Sequence, residues 1–219
     1  MKSKVKAQGK LNKRTLWEKY RKEIVPRMMK KFGYKSPMAV PRLEKIVLNT
    51  GIGPWSEDEE AKESIRKDMS LIAGQKAVYT KARQAISGFK VKIGQKVGVK
   101  ATIRGKRMFD FLERLIVEAL PRVRDFRGIS ENNFGFRGSV NIGMREHTAF
   151  AEIDSEKAQH VFGLEINIVS TAQDKKQGLE LLRLFGFPIR KGEETGIEEK
   201  IKSRREEAKE KDKKEKKKK

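Results

Sequence analysis

The order of elements readable in this chain predicts an α+β fold: a largely antiparallel sheet with helices packed on one face and the other face free. A basic N-terminal arm and a charged C-terminal tail, disordered or helical, are expected to flank it. Three observations predict the fold. Apolar residues recur at helical spacing in four segments. About five further segments carry strand patterns. The two kinds do not follow the steady βαβα alternation of a doubly wound sheet.

Residues 1–13 (MKSKVKAQGKLNK) are polar, basic and aperiodic, which predicts a flexible arm, and one domain is expected over residues 14–190. Leu16, Tyr20, Ile24, Met28 and Phe32 recur at i+4 on one helix face. Pro26 is expected to kink or split that helix, and Gly33 to close it. LEKIVLNTGIG, residues 43–53, ends in two glycines before Pro54 and reads as the first strand. Ser56 and Glu59 stand at capping-box spacing before a helix with the stripe Ala61, Ile65, Met69 and Ile72, stopped by Gly74. AVYTKA, residues 77–82, predicts a second strand, followed by the loop RQAISGFKVKIGQ.

KVGVKATIR, residues 96–104, has the clearest alternation: Val97, Val99, Ala101 and Ile103 against Lys96, Gly98, Lys100, Thr102 and Arg104. RMFDFLERLIVEAL follows as a helix with Met108, Phe111, Leu112, Leu115 and Ala119 on one face, and Pro121 is expected to end it. Residues 122–138 carry Gly and Asn breakers among Arg and Phe and read as a long irregular loop. Residues 139–145 and 163–172 predict two more strands. Asp174 is expected to cap a last helix ending before Pro188. Residues 191–219 mix Lys and Glu at helical spacing and lie outside the core.

The charge narrows the function. Lys and Arg number 52 against 30 Asp and Glu, giving a net charge of +22 and a pI near 10.1. A polyanion is the default partner, nucleic acid before anionic membrane. From Met69 to Phe109 the chain carries ten Lys and Arg and no carboxylate. Core packing explains the apolar half of the 96–104 alternation; it does not explain why every charge on the other half is positive. The acid-free stretch also holds Gly88, Gly94, Gly98 and Gly105, which let backbone amides approach phosphates, and Phe89 between basic residues, where it can stack on a base. No helix carries base-reading side chains in a major-groove pattern, so folded RNA is favoured over DNA.

Other classes fare worse. Cysteine is absent, which removes disulfides, thiolate nucleophiles and cysteine zinc sites. Gly51-Ile-Gly53 lacks the third glycine of a dinucleotide loop and is followed by a run of acids that would repel a pyrophosphate. Gly74-Gln75-Lys76 lacks the rest of a phosphate loop. His147 beside Glu146 reads as a surface or partner-contacting histidine, and His160 has no companion ligands. No catalytic residue, cofactor or metal is expected. No apolar run has bilayer length, so a soluble, intracellular protein is expected. A peripheral membrane protein would need an exposed amphipathic basic helix, whereas the best basic pattern lies on a strand.

VPRLEKIVLNTGIG, GQKAVYTKARQAISGFKVKIGQKVGVKATIRGKRMFDFLERLI, ALPRVRDFRGIS and LLRLFGFP, in this order, resemble the bacterial large-subunit ribosomal protein L five family, which binds 5S ribosomal RNA. The resemblance spans roughly residues 16–190. It implies a cytoplasmic, ribosome-bound structural protein that holds 5S rRNA in the central protuberance. The implied partners are 5S rRNA, large-subunit rRNA, the P-site tRNA, other central-protuberance proteins and a small-subunit head protein, with no membrane and no homo-oligomer. Carried over by segment, it implies rRNA contacts at Asn49, Thr50, Gly51, Lys96, Lys100, Thr102 and Arg104. The loop with Lys81, Arg83, Gln84, Ser87, Gly88, Phe89 and Lys90 would reach the elbow of the P-site tRNA. Arg122, Arg124, Arg127 and Arg137 would form an inter-subunit bridge. The chain departs from the family in its Phe134-Gly135-Phe136-Arg137-Gly138 turn, where an Asp-Gly-Arg-Gly turn is usual. A nonspecific basic RNA-binding or RNA-chaperone protein is the alternative.

Overall fold

In the computed structural model, residues 15–190 are described, apart from Lys90, Asp125, Ser155 and Lys157. The arm over residues 1–13 and the tail over 191–219 lie outside them. In chain order, helix α1 has three contiguous pieces, Leu16–Lys19, a π turn at Tyr20–Ile24, and Val25–Phe32. Strand β1 (Leu43–Gly51), helix α2 (Glu59–Ala73), and strands β2 (Val78–Lys81) and β3 (Lys96–Ile103) follow. Helix α3 runs through Lys106–Arg114, a π turn at Leu115–Ala119, and Leu120–Arg122. Next come β4 (Ile129–Ser130), β5 (Val140–Met144), β6 (Leu164–Ser170), helix α4 (Lys175–Phe185) and β7 (Ile189–Arg190).

Both interior prolines are absorbed in the same way. A proline lacks the N–H that closes a helical turn, and its ring collides with the carbonyl four residues back. Here the turn just before each proline is one residue wider: the Val25 amide donates to the Tyr20 carbonyl and the Leu120 amide to the Leu115 carbonyl. Pro26 therefore sits inside one continuous helix. Pro121 does not terminate α3 as the sequence suggests, and the helix continues to Arg122. The cap of α2 also differs from expectation. Asp58, not Ser56, accepts from the amides of Glu60 and Ala61, both at 2.9 Å. The carboxylate at the first turn serves the helix N-terminus better than a hydroxyl two residues away.

The main sheet has the order β2-β3-β1-β6-β5 with every pairing antiparallel. Residues 122–138, expected to be irregular throughout, contribute the short β4, which pairs in parallel with β7. Register sorts the side chains by face. Ile46, Leu48 and Thr50 stand opposite Ile103, Ala101 and Val99 on β3; Ile46 and Leu48 also face Ile168 and Ile166 on β6. That face is buried under the helices, against Ile65, Met69 and Ile72 of α2, Phe111, Leu112 and Leu115 of α3, and Leu181 and Phe185 of α4. Tyr20 of α1 stacks on Phe185 at 5.9 Å and donates its hydroxyl to the Pro41 carbonyl at 3.1 Å. Each fully buried Leu, Ile, Met or Phe contributes roughly 1.5–3 kcal/mol. One hydrophobic cluster spans all four helices and the main sheet.

His147 departs from its sequence reading. It is fully buried in a short turn, not on the surface. Its ring stacks on Phe162 at 3.9 Å, its Nδ1 accepts from the Phe162 amide at 3.4 Å, and its Nε2 lies 3.7 Å from Asp68 Oδ2. Burial lowers its pKa, opposed by the Asp68 carboxylate and the Phe162 amide contact, while burial raises that of Asp68, opposed by His147 and His160. The neutral ring is thus the folded form. Above the ordinary imidazole pKa of 6.5 its contribution to stability is complete; below it the unfolded chain takes up the proton first and stability falls. The melting temperature should drop on going from pH 7.5 to 5.5, and His147→Phe should flatten that drop. An equally steep decline in the variant would assign the dependence to other groups.

Candidate nucleic-acid interface

Among the described residues no helix covers the second face of the sheet. Register places Lys100 and Thr102 of β3 beside Asn49 and Val47 of β1, and these beside Glu165 and Asn167 of β6. Val78 lies outside Lys100, and Asn141 and Gly143 of β5 complete the far edge. Lys100, Val78, Asn141 and Gly143 are exposed and the rest half-buried. Gly51 faces Gly98 at one end of this surface, where a Cβ on Gly98 would come within 2.9 Å of the Thr50 carbonyl oxygen.

Two of the residues predicted for this face are elsewhere. Thr50 is 3% exposed on the helix-covered side, and its hydroxyl donates to the Gly163 carbonyl at 2.7 Å. In a strand the side chain next to Asn49 must point away from it, so Thr50 offers this face only backbone. Lys96 is turned by a register shift between Thr80 and Lys81, where β3 carries one extra residue. Its ammonium reaches Glu59 of α2 at 2.7 Å and sits 4.7 Å over the Tyr79 ring. The hydrogen bond to Glu59 raises the Lys96 pKa, and nearby Arg66 holds Glu63 down at about 2. That cluster belongs to the helix side. Arg104, past the end of β3, stays mostly exposed with Glu44 3.9 Å away. The open face is therefore less basic than the alternation suggests: amides and hydroxyls fill it, with Lys100 and Lys45 as its cations and Glu165 as a carboxylate.

Sequence reasoning missed Glu165, Asn141, Asn167 and Lys45. The signal was present in GLEINIVSTA, where Glu165 and Asn167 alternate with buried Leu164, Ile166 and Ile168. The segment was read for its strand alone. Asn141 and Asn167, with Asn132 and Asn133, also line a concavity of about 550 Å³ beside β5.

The predicted tRNA loop leaves the β2 edge of the same sheet. Lys81, Arg83, Gln84, Ser87, Gly88 and Phe89 are all exposed, Phe89 at 78%, and Lys90 lies outside the described residues. Mutual hydrogen bonds between Ile86 and Val91 at 3.0 and 3.2 Å close the loop tip. An aromatic ring held out of the core by a closed turn has been released from packing, so the core role open to Phe89 from sequence is excluded. Arg122, Arg124, Arg127 and Arg137 are exposed along the 122–138 segment. Arg137 shares a tight turn with Phe136, 84% exposed, closed by the Gly138 amide on the Gly135 carbonyl at 2.9 Å.

Among the described residues no group of three or more His, Cys, Asp or Glu could hold a metal, and no helix is long and apolar enough to cross a membrane. The surface offers hydrogen-bonding groups and cations and no activated nucleophile.

Comparison with known proteins agrees with that chemistry. A family model described as ribosomal protein L5 matches residues 36–92, and one for the C-terminus of the ribosomal L5 family matches residues 96–189. The chain is 48% identical over 174 residues to the large ribosomal subunit protein uL5 of Alkaliphilus metalliredigens, covering 80% of this chain and 97% of that one. The uL5 of Roseiflexus sp. is 49% identical over 175 residues, with 80% and 97% covered. That of Dictyoglomus turgidum is 47% identical over 176 residues, with 80% and 98% covered. The chain belongs to the ribosomal protein L5 family, structural and non-enzymatic proteins of the large ribosomal subunit.

Proposed function

We propose that this protein binds 5S rRNA and anchors it in the central protuberance of the large subunit, working on ribosomes in the cytoplasm. The observation that carries this reading is the sheet face left bare by all four helices, with Lys100, Asn49 and Thr102 side by side on it. A sheet that buries one face and exposes polar groups on the other needs a partner of matching polarity, and a net charge of +22 selects a polyanion. Lysine and arginine neutralise phosphates while amides and hydroxyls fix the register. The exposed 81–89 loop reaches toward the P-site tRNA elbow, and Arg122, Arg124, Arg127 and Arg137 meet a small-subunit head protein. One domain over residues 14–190 carries all three contacts.

The test is binding to purified 5S rRNA over a range of salt concentrations. Replacing Lys100 and Arg104 by Ala should weaken binding and flatten the slope of log affinity against log salt by about 0.9 for each phosphate no longer neutralised. Lys96→Ala should leave the slope unchanged, because Glu59 already holds that ammonium. A wild-type protein that binds unrelated RNAs as tightly as 5S rRNA would instead be a nonspecific RNA binder.

A further inference from the structure

Glu165 raises a question that RNA binding alone does not answer: why a carboxylate stands near the middle of a face meant for a polyanion. It sits on β6 opposite Asn49 on one side and Gly143 on the other. Both neighbouring amides are turned to it. Asn49 Nδ2 donates to Glu165 Oε2 at 3.3 Å and Asn141 Nδ2 donates to Glu165 Oε1 at 2.7 Å. A carboxylate only accepts, so these contacts fix which end of each amide faces inward and leave both Oδ1 oxygens directed elsewhere. Asn167, opposite Val47 and Asn141, continues the row.

Phosphate oxygens are acceptors, so an acceptor-rich row with a negative charge at its centre repels them. Ribose 2′-hydroxyls and exocyclic amines are donors and are welcomed. The surface is also shallow: its side chains here are short, and Gly143 and Gly51 each have open space where a Cβ would stand. The wide, shallow minor groove of an A-form helix displays 2′-hydroxyls and presents such a shape. Lys100, next to Asn49 across β1 and β3, stands at the side of the row, where a flanking phosphate would fall.

Resting on the reading that this face binds ribosomal RNA, we propose that the row Asn49–Glu165–Asn141 docks the 2′-hydroxyl edge of an RNA helix, with Glu165 orienting the two amides and accepting from a ribose. The row thus distinguishes RNA from DNA, and the cations at its side hold the phosphates.

Three measurements on the full chain test this, using 5S rRNA and the large rRNA from the same cells as separate probes. Glu165→Lys should weaken binding about tenfold, the loss of one hydrogen-bonded site of about 1.4 kcal/mol, although it adds a positive charge. Glu165→Gln should weaken it less, with the salt slope unchanged in the Gln variant. Interference mapping with 2′-deoxynucleotides should give a cluster of sensitive riboses with wild type that fades with Glu165→Gln. Tighter binding and a steeper slope with Glu165→Lys, or no sensitive ribose in a bound RNA, would overturn the inference. Binding to the large rRNA but not to 5S overturns only the proposed partner, and the edge contact is then read on the large rRNA. Binding to neither overturns both.

Discussion

Gly178→Ala should destabilise the protein by roughly 3 kcal/mol, lowering the melting temperature by roughly 6–12 °C. Helix propensity alone predicts the reverse, because alanine is about 1 kcal/mol better than glycine in a helix interior. Packing overrides propensity here. Gly178 is buried in α4 with the 135–138 turn lying directly on its backbone, and a Cβ on it would overlap the Cα and carbonyl oxygen of Gly138. The contact is reciprocal: a Cβ on Gly138, whose φ is +65°, would come within 2.6 Å of the Gly178 Cα. Backbone meets backbone, so no side chain can rotate to make room. Ser170 clamps the same turn, its Oγ lying 3.3 Å from the carbonyl oxygens of both Arg137 and Gly138. Gly143→Ala is the control, since it has a strand φ and open space at its Cβ, and it should be neutral within about 0.5 kcal/mol. Urea unfolding decides the matter; a Gly178→Ala variant as stable as wild type would mean that α4 and the turn separate freely. The same clamp holds out Phe136 and Arg137, so the variant should also disturb whatever docks there.

What the sequence made legible was set by periodicity. The stripes on α1, α2 and α3 were readable because each buries residues three or four apart, and all of Tyr20, Ile24, Met28, Ile65, Met69, Ile72, Phe111 and Leu115 are buried as their spacing implies. The alternation on β3 was equally readable from Val99 to Ile103 and failed at Lys96, because one extra residue in a strand reverses every side chain before it. No local signal in KVGVK announces that shift; it is set by pairing with β2. Pro121 misled for a related reason, since a proline can be housed by widening the preceding turn. His147 was misread because burial depends on α2 and on the segment around Phe162, both distant in sequence. The open face was legible as polar strand positions, while the pairing of Asn49 and Asn141 through Glu165 needs three strands aligned across 116 residues of separation.

Charge reversal in the 81–89 loop should separate the two RNA contacts of the proposed function. With Lys81 and Arg83 replaced by Glu and Phe89 by Ala, affinity for 5S rRNA should stay within about twofold, because side chains exposed on a loop beyond the β2 edge do not line the sheet face. Retention of P-site tRNA by ribosomes built with this variant should fall by about a hundredfold. Each phosphate left without its cation keeps its counterion, each added Glu repels the RNA backbone, and a base deprived of its stacking partner costs about 1–3 kcal/mol. Phe89 can be separated from the charges. Its single Ala variant should weaken tRNA retention equally at low and high salt, whereas the Lys81→Glu, Arg83→Glu pair should do most damage at low salt, where unscreened charge matters most. Folding is not at stake, since none of the three side chains is buried and the Ile86–Val91 hydrogen bonds that close the loop are between backbone atoms. Unchanged tRNA retention in the triple variant, with 5S binding intact, would remove the loop from the tRNA contact and leave the sheet as the molecule's RNA surface. Loss of both together would mean that one continuous RNA spans the sheet and the loop.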